Sequence, residues 1–332
     1  MEVFRWIEQH LTPQTCSTDV LIYDDMDSQS GYSLPLIYQP FDGAKASHWA
    51  DRGSIYDFLD ATGGENRTLL DFGPGDGWPS LHVAPFTRNV VGLDASNKRV
   101  QVCRENARRL GITNAEFTSY EADAAVPFPD DVFDGIMAAS SVEQAPDPRG
   151  VLAEFRRILR PGGRLRIFYE ALSQYQDGRQ QEMWISNLDH ETCKILLYDR
   201  NIPCEYVSQY AITLAIPQQE LLNRLGSSSP TFSHLNIPLL KQVEPMVVRT
   251  RKSRTTHPSG RTWARWLKDL GFSQVVPTHS GKEAAIAMYR WFSDAKRPLD
   301  MADVDDAIRP MVRLAVNLAC PLELNPPITA VK

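Results

Sequence analysis

The chain lacks the features that would send it to a membrane, a secretory route or a nucleic-acid surface. No apolar run reaches 18 residues, so no membrane-spanning helix is expected. The opening Met1-Glu-Val-Phe-Arg-Trp-Ile-Glu carries no basic-then-apolar leader. Cysteine is sparse: residues 16, 103, 193, 204 and 320 are scattered, odd in number and without a C-x-x-C pair. That argues against a disulfide framework or a zinc site and for reduced thiols in a cytoplasm. Positive charge is not in excess: the formal net charge is −6, which gives no global attraction to nucleic acid or anionic lipid. Asp24-Asp25-Met-Asp27 lacks the regular ligands and the glycine of a calcium loop, so it reads as a solvated turn and no metal is expected. The G-x-G-x-x-G spacing of a dinucleotide turn is also missing.

What is present is ordinary globular composition over 332 residues, 42% hydrophobic and 23% charged, enough for one large domain with additions or for two. The most informative stretch is Leu69-Leu-Asp-Phe-Gly-Pro-Gly-Asp-Gly77. An apolar run ends in an acid, and glycines then alternate with other residues. This pattern predicts a buried strand running into a tight turn whose backbone a ligand can approach. Trp78-Pro79-Ser80 opens a helix, so free N–H groups gather at the turn.

Strand and helix signals then alternate. Val90-Val-Gly-Leu-Asp94 is a second apolar run, ending in an acid able to accept from ribose hydroxyls. Ser96 caps a helix with Val100, Cys103, Ala107 and Leu110 on its apolar face, stopped by Gly111. Further strands are expected at Glu116–Tyr120, Phe133–Ala139 and Arg164–Tyr169, with a helix between the last two begun by Asp147 and Pro148. Such alternation predicts a parallel sheet covered on both faces, binding its ligand beyond the carboxyl ends of its strands.

Residues from about Arg67 to Tyr169 resemble a class I S-adenosylmethionine (SAM)-dependent methyltransferase. Four blocks carry the resemblance. They are Asp71-Phe-Gly-Pro-Gly-Asp-Gly77, Gly92-Leu-Asp94, Ala122-Asp123 followed by Pro127-Phe-Pro-Asp-Asp-Val-Phe-Asp134, and Leu159-Arg-Pro-Gly-Gly163. The resemblance implies an α/β, Rossmann-like fold with a seven-stranded, mostly parallel sheet, here with an inserted α+β cap and a helical C-terminal tail. It implies SAM as cofactor and S-adenosylhomocysteine as product. Gly73, Gly75 and Gly77 would pass the methionine part, Asp71 would orient the turn or reach the cofactor amine, and Asp94 would hold the ribose. Asp123 and the N–H of Ala124 would meet the adenine, and Ala139 to Gln144 would border the methyl donor. Asp134, at the start of its strand, reads as structural. Relatives often carry Glu-His where this chain has Glu143-Gln144, which weakens any transfer of acid–base mechanism.

The resemblance also divides the chain. Residues 1–66 form a segment covering the cofactor site, in which Tyr38, His48, Trp49 and Arg52 are candidate contacts, though packing alone accounts for aromatics there. The SAM-binding core is 67–172. A substrate cap occupies 173–258, with β-prone runs at 192–198 and 205–214, turn chemistry at Asp199-Arg-Asn201 and a short helix from Gln218 to Leu225. The core resumes over 259–293, with strand six at Phe272–Val276 and an antiparallel strand seven at Ala284–Tyr289. A helical tail, 294–332, packs on the core or forms a homodimer contact.

The expected reaction is methyl transfer to a small-molecule acceptor by in-line displacement, with alignment and water exclusion as the protein's main contribution. Where a base is needed, Glu143, Glu170, His190 and His234 are the candidates. The basic run 249–265 (Arg249, Arg251, Lys252, Arg254, His257, Arg261, Arg265) keeps an RNA methyltransferase as an alternative, although the acidic chain holds no RNA-binding module. A nicotinamide-dependent oxidoreductase and a non-catalytic SAM-binding protein share the same fold logic and stay open beside it.

Overall fold

The computed structural model describes residues 2–16, 40–121, 125–292, 299–320 and 326–332. Asp24 to Asp27, Tyr38, Asp123 and Ala124 lie outside the described residues. In chain order the described strands are β1 (Gln14–Thr15), β2 (Thr68–Phe72), β3 (Asn89–Asp94), β4 (Ala115–Ser119), β5 (Phe133–Ala139), β6 (Leu159–Phe168), β7 (Gln181–Asn187), β8 (Cys193–Asn201), β9 (Tyr206–Leu214), β10 (Val247–Thr256), β11 (Ser273–Pro277) and β12 (Ile328–Val331). The α-helices are α1 (Glu2–Trp6), α2 (Ala46–Thr62), α3 (Ser80–Val83), α4 (Asn97–Leu110), α5 (Pro148–Ile158), α6 (Gln218–Leu225), α7 (Ile237–Val243), α8 (Gly260–Asp269), α9 (Gly281–Phe292) and α10 (Met301–Ala315).

The chain divides into two compact units. One comprises Met1–Ser30 and Ala171–Ser259, the other Gly31–Glu170 and Gly260–Lys332. The expected single segment 1–66 is therefore split, because α1 packs its Phe4 and Trp6 into the core of the inserted residues.

The larger unit holds a seven-stranded sheet in the order β11-β12-β6-β5-β2-β3-β4. Strands β2 to β6 are mutually parallel, and β12 runs antiparallel to both β6 and β11. The order reverses beside β2, which lies between β3 and β5, so the switch point falls at the end of β2. Local rules explain most of the elements. The Ser96 hydroxyl accepts from Arg99 N at the start of α4, and Gly111 closes that helix at φ 68°. Asp147 caps α5, with Pro148 in its first turn.

The seventh strand is a correction. Ala284–Tyr289, expected as strand seven, lies within α9. Its alanines and methionine are good helix formers, and the apolar run alone did not distinguish the two states. The C-terminal Ile328-Thr-Ala-Val331, rich in β-branched residues, fills the place between β6 and β11 instead, so the tail is not wholly helical. In α10, Val304, Ile308 and Val312 are buried in the unit's core, whereas Met311 is exposed, as is Leu318 beyond the helix.

A fully buried ion pair ties α2 to this sheet. Arg166 on β6 donates to both oxygens of Asp57 at 2.6 and 2.7 Å. Asp57 also accepts from Gly281 N at 2.6 Å, and the guanidinium reaches Thr278 and Thr329. Each partner is thereby satisfied, the condition under which a buried charge pair is tolerated.

The smaller unit is a sheet in the order β1-β10-β9-β8-β7, antiparallel except at β1. Its strands 193–201 and 206–214 match the β-prone runs read from the sequence, but the turn lies at 202–205 rather than 199–201. One face carries Ile195, Leu197, Ile212 and Leu214, packed with Phe4, Leu221 and Leu240 in a separate apolar core.

Candidate cofactor site

The turn after β2 is built as its glycines require. Gly73, Gly75 and Gly77 have φ of 72°, 61° and 107°, a region closed to most side chains. At Gly73 an added Cβ would lie 2.5 Å from the Cβ of Ser141, so the turn passes directly against the chain following β5. At Gly75 the same atom would enter open space. That glycine borders open space, while Gly73 is needed for packing.

Asp94 ends β3 and is buried. Its carboxylate accepts from Gly75 N at 3.3 Å and from Ser96 N at 2.9 Å. Two backbone donors thus fix the acid against the glycine turn. Three side chains hold the turn: Ser141, which the sequence placed only within the stretch bordering the methyl donor, Cys103, which it read as part of an apolar helix face, and Asn106, which it did not single out. Ser141 Oγ donates to Phe72 O at 2.5 Å, Cys103 Sγ to Gly75 O at 3.3 Å and Asn106 to Asp76 O at 2.8 Å. Cys103 and Asn106 are 28 and 30 positions from their partners, so no local pattern points to them. A buried asparagine on the apolar side of α4 is the one available hint.

Asp71 is completely buried. One oxygen accepts from Ser80 Oγ at 2.5 Å and Ser80 N at 3.2 Å, and Oδ1 has no partner. Burial pushes its carboxyl up to about 7, against the Ser80 hydrogen bonds, which pull it down. Glu143, in the turn after β5, is 1% exposed. Its Oε1 accepts from Glu170 N at 3.0 Å, and its Oε2 has no partner. Burial pushes it up to about 7 as well. Trp78 Nε1, in the glycine turn, is a third buried polar atom without a partner. The unpaired Asp71 oxygen is an acceptor suited to the ammonium, and the Trp78 indole N–H a donor suited to the carboxylate, of an amino-acid group. With the open space at Gly75 and the clamped acid at Asp94, these residues fit the cofactor that the family implies.

The structure brings Asp71, Gly73, Gly75, Gly77, Asp94, Ala139, Glu143 and Glu170 together in the larger unit, on β2, β3, β5 and β6 or the turns that follow them. His190 and His234 belong to the smaller unit. His190 is exposed between β7 and β8, and His234 Nδ1 accepts from Thr231 N at 3.1 Å as part of a helix cap. Among the N-terminal candidates, Trp49 is buried and donates to Gly43 O, His48 accepts from Asp42 N, and Arg52 is paired with Asp305. Asp134 accepts from Thr68 N and pairs with Arg160, the structural role expected of it.

Residues 70–167 match the family model of a methyltransferase domain. The chain is 38% identical over 116 residues to methyltransferase GfsG of Streptomyces halstedii, covering 34% of this chain and 40% of that protein. It is 34% identical over 102 residues to 27-O-demethylrifamycin SV methyltransferase of Amycolatopsis mediterranei, covering 30% and 37%. The chain thus spans about two fifths of the length of these curated relatives. A solved SAM-dependent methyltransferase from Clostridium acetobutylicum, 12% identical, aligns over 94% of this chain and 96% of its own with a TM-score of 0.48. Over residues 70–167, which hold the glycine turn and strands β3 to β5, the chain is thus similar to the methyltransferase domain family.

Proposed function

We propose that this protein binds SAM and transfers its methyl group to a small-molecule acceptor, with residues 173–258 serving acceptor recognition. The observation that carries the reading is the carboxylate of Asp94, fixed by two backbone N–H groups beside a glycine turn that opens at Gly75. Asp94 accepts from ribose hydroxyls, Asp71 and the turn hold the amino-acid end, and Asp123 with the Ala124 N–H meets the adenine. When bound, the sulfonium supplies an already activated methyl group. The chain's task is then to align the acceptor and exclude water. For a hydroxyl or carbon acceptor, Glu143 is the favoured proton acceptor, because burial brings its carboxyl to about 7, near working pH. Glu170, whose backbone N–H holds Glu143, is the second candidate, and His190 and His234 rank below both. The names of relatives, among them a rifamycin and a menaquinone methyltransferase, support a small-molecule acceptor.

The RNA alternative loses support from the strand geometry. Alternate residues of β10 face opposite sides. Lys252 pairs with Glu8, and Arg254 lies over the Tyr206 ring. Arg261 and Arg265 belong to α8 of the other unit, so the basic run does not form one stripe along one element.

Calorimetry with S-adenosylhomocysteine, SAM and NAD tests the reading. The first two should bind with Kd on the order of micromolar, and Asp94→Asn and Asp94→Ala should weaken both by about tenfold or more. Binding of NAD in place of both would overturn it. A melting curve for each variant separates loss of contact from loss of the turn.

A further inference from the structure

The smaller unit contains a cleft of its own, about 500 Å³ in volume, within the range of small-molecule sites. It lies along β7, between that edge strand, α6 and the loop 228–232. Its walls are aromatic and aliphatic. Trp184 is 58% exposed, a large apolar surface left to water on the edge strand β7. Phe232 stacks on Phe4 with centroids 5.3 Å apart and also lines the cleft, so its ring is held firmly from behind. Leu222 and Met183 supply the aliphatic part.

The charges in the walls are compensated. Arg179 Nε donates to both oxygens of Asp177, and Glu182 pairs with Arg200 at 2.6 Å. The two charged lining residues, Arg179 and Glu182, are opposite in sign and each already has a counter-ion, so the walls present no net charge to attract an ion. Hydrogen-bonding capacity remains without net charge. Ser228 and Ser229 contribute hydroxyls, and an edge strand turns alternate backbone N–H and C=O groups away from its neighbour.

We propose that this cleft is a binding site for an uncharged, flat, largely apolar small molecule that carries a hydroxyl or carbonyl group. The ring system lies against Trp184 and Phe232, and the polar group meets Ser228, Ser229 or the β7 backbone. The site is built wholly from the smaller unit, so it stands whether or not the larger unit transfers methyl groups.

The test uses the full chain and N-phenyl-1-naphthylamine, a neutral aromatic probe whose emission rises in apolar surroundings. Saturable binding at one site is expected, with quenching of tryptophan emission. Trp184→Ala and Leu222→Arg should each weaken it by about tenfold or more. Val248→Ala removes another exposed apolar residue of the same unit and should leave binding unchanged. The same ring system bearing a sulfonate, 1-anilinonaphthalene-8-sulfonate, should bind less tightly. Probe binding unaffected by both cleft variants, or tighter binding of the sulfonate, overturns the proposal. Should Leu222→Arg fail to fold by circular dichroism, the exposed Trp184→Ala decides. Calorimetry with S-adenosylhomocysteine on the same samples reports separately on the methyltransferase reading.

Discussion

Two buried carboxyl groups set the character of the site at the scale of single residues. Asp71 and Glu143 are both brought to about 7 by burial, from ordinary values of 3.8 and 4.5. The folded protein therefore holds these protons more tightly than the unfolded chain. The associated stability is fully present below the ordinary carboxylate range and is lost as pH rises toward 7. Asp71→Asn and Glu143→Gln keep an oxygen to accept from Ser80 or Glu170 and remove the titration. Relative to these variants, the ligand-free wild type should lose a few kcal/mol between pH 5 and pH 8. Urea unfolding at each pH measures the gap, and a gap that does not change with pH would contradict the assignment. Differences between proteins are needed because His82, pushed down to about 4 by burial and by Arg52, contributes with the opposite sign. Both acids stand out in the sequence, one before the glycines and one after a strand. Their burial does not, since it depends on Ser80, Glu170 and the surrounding core.

At the scale of elements, the glycine turn, the capped α4 and α5 and the strands β2 to β5 are legible because they follow local rules. The Ala284–Tyr289 segment shows where such rules stop. A short apolar run serves a helix or a strand equally well, and the neighbours decide. Here α9 packs beside α2 and α10, with Ala285 fully buried, and the place in the sheet goes to β12. Ile328 and Ala330 of β12 are fully buried, and Lys332 reaches Asp131 and the carbonyl oxygens of Arg157 and Leu159. Removing Ile328–Lys332 would leave β6 and β11 with open edges inside a sheet. Thermal unfolding of the shortened chain should occur at least roughly 5 °C below that of the full chain. An unchanged melting temperature would mean that β12 contributes little.

At the scale of the whole molecule, each of the two units has its own apolar core. The larger unit buries Phe58, Leu69 and Met137 in one cluster, and the smaller buries Ile195, Leu197 and Ile212 under α1, α6 and α7. A cavity in the smaller core should therefore cost stability without touching a cofactor contact. Ile195→Ala is expected to lower the free energy of unfolding by about 2–4 kcal/mol. Its affinity for S-adenosylhomocysteine should stay within about twofold of wild type, a difference of roughly 0.4 kcal/mol. Denaturant titration and calorimetry on one preparation check both halves.

The order of residues is enough to dictate the alternation of strands and helices, their caps, the glycine turn and the acids at the ends of β2 and β3. Each is written in residues a few positions apart, through side-chain period, capping and the freedom of glycine at positive φ. Three further facts emerge only once the chain is packed: the N-terminal helix joins the inserted residues, the last strand comes from 328–331, and Ser141, Cys103 and Asn106 brace the turn. Packing also brings Arg166 to Asp57, 109 positions away. Such pairings depend on which surfaces meet when the chain closes, and no local pattern encodes that meeting.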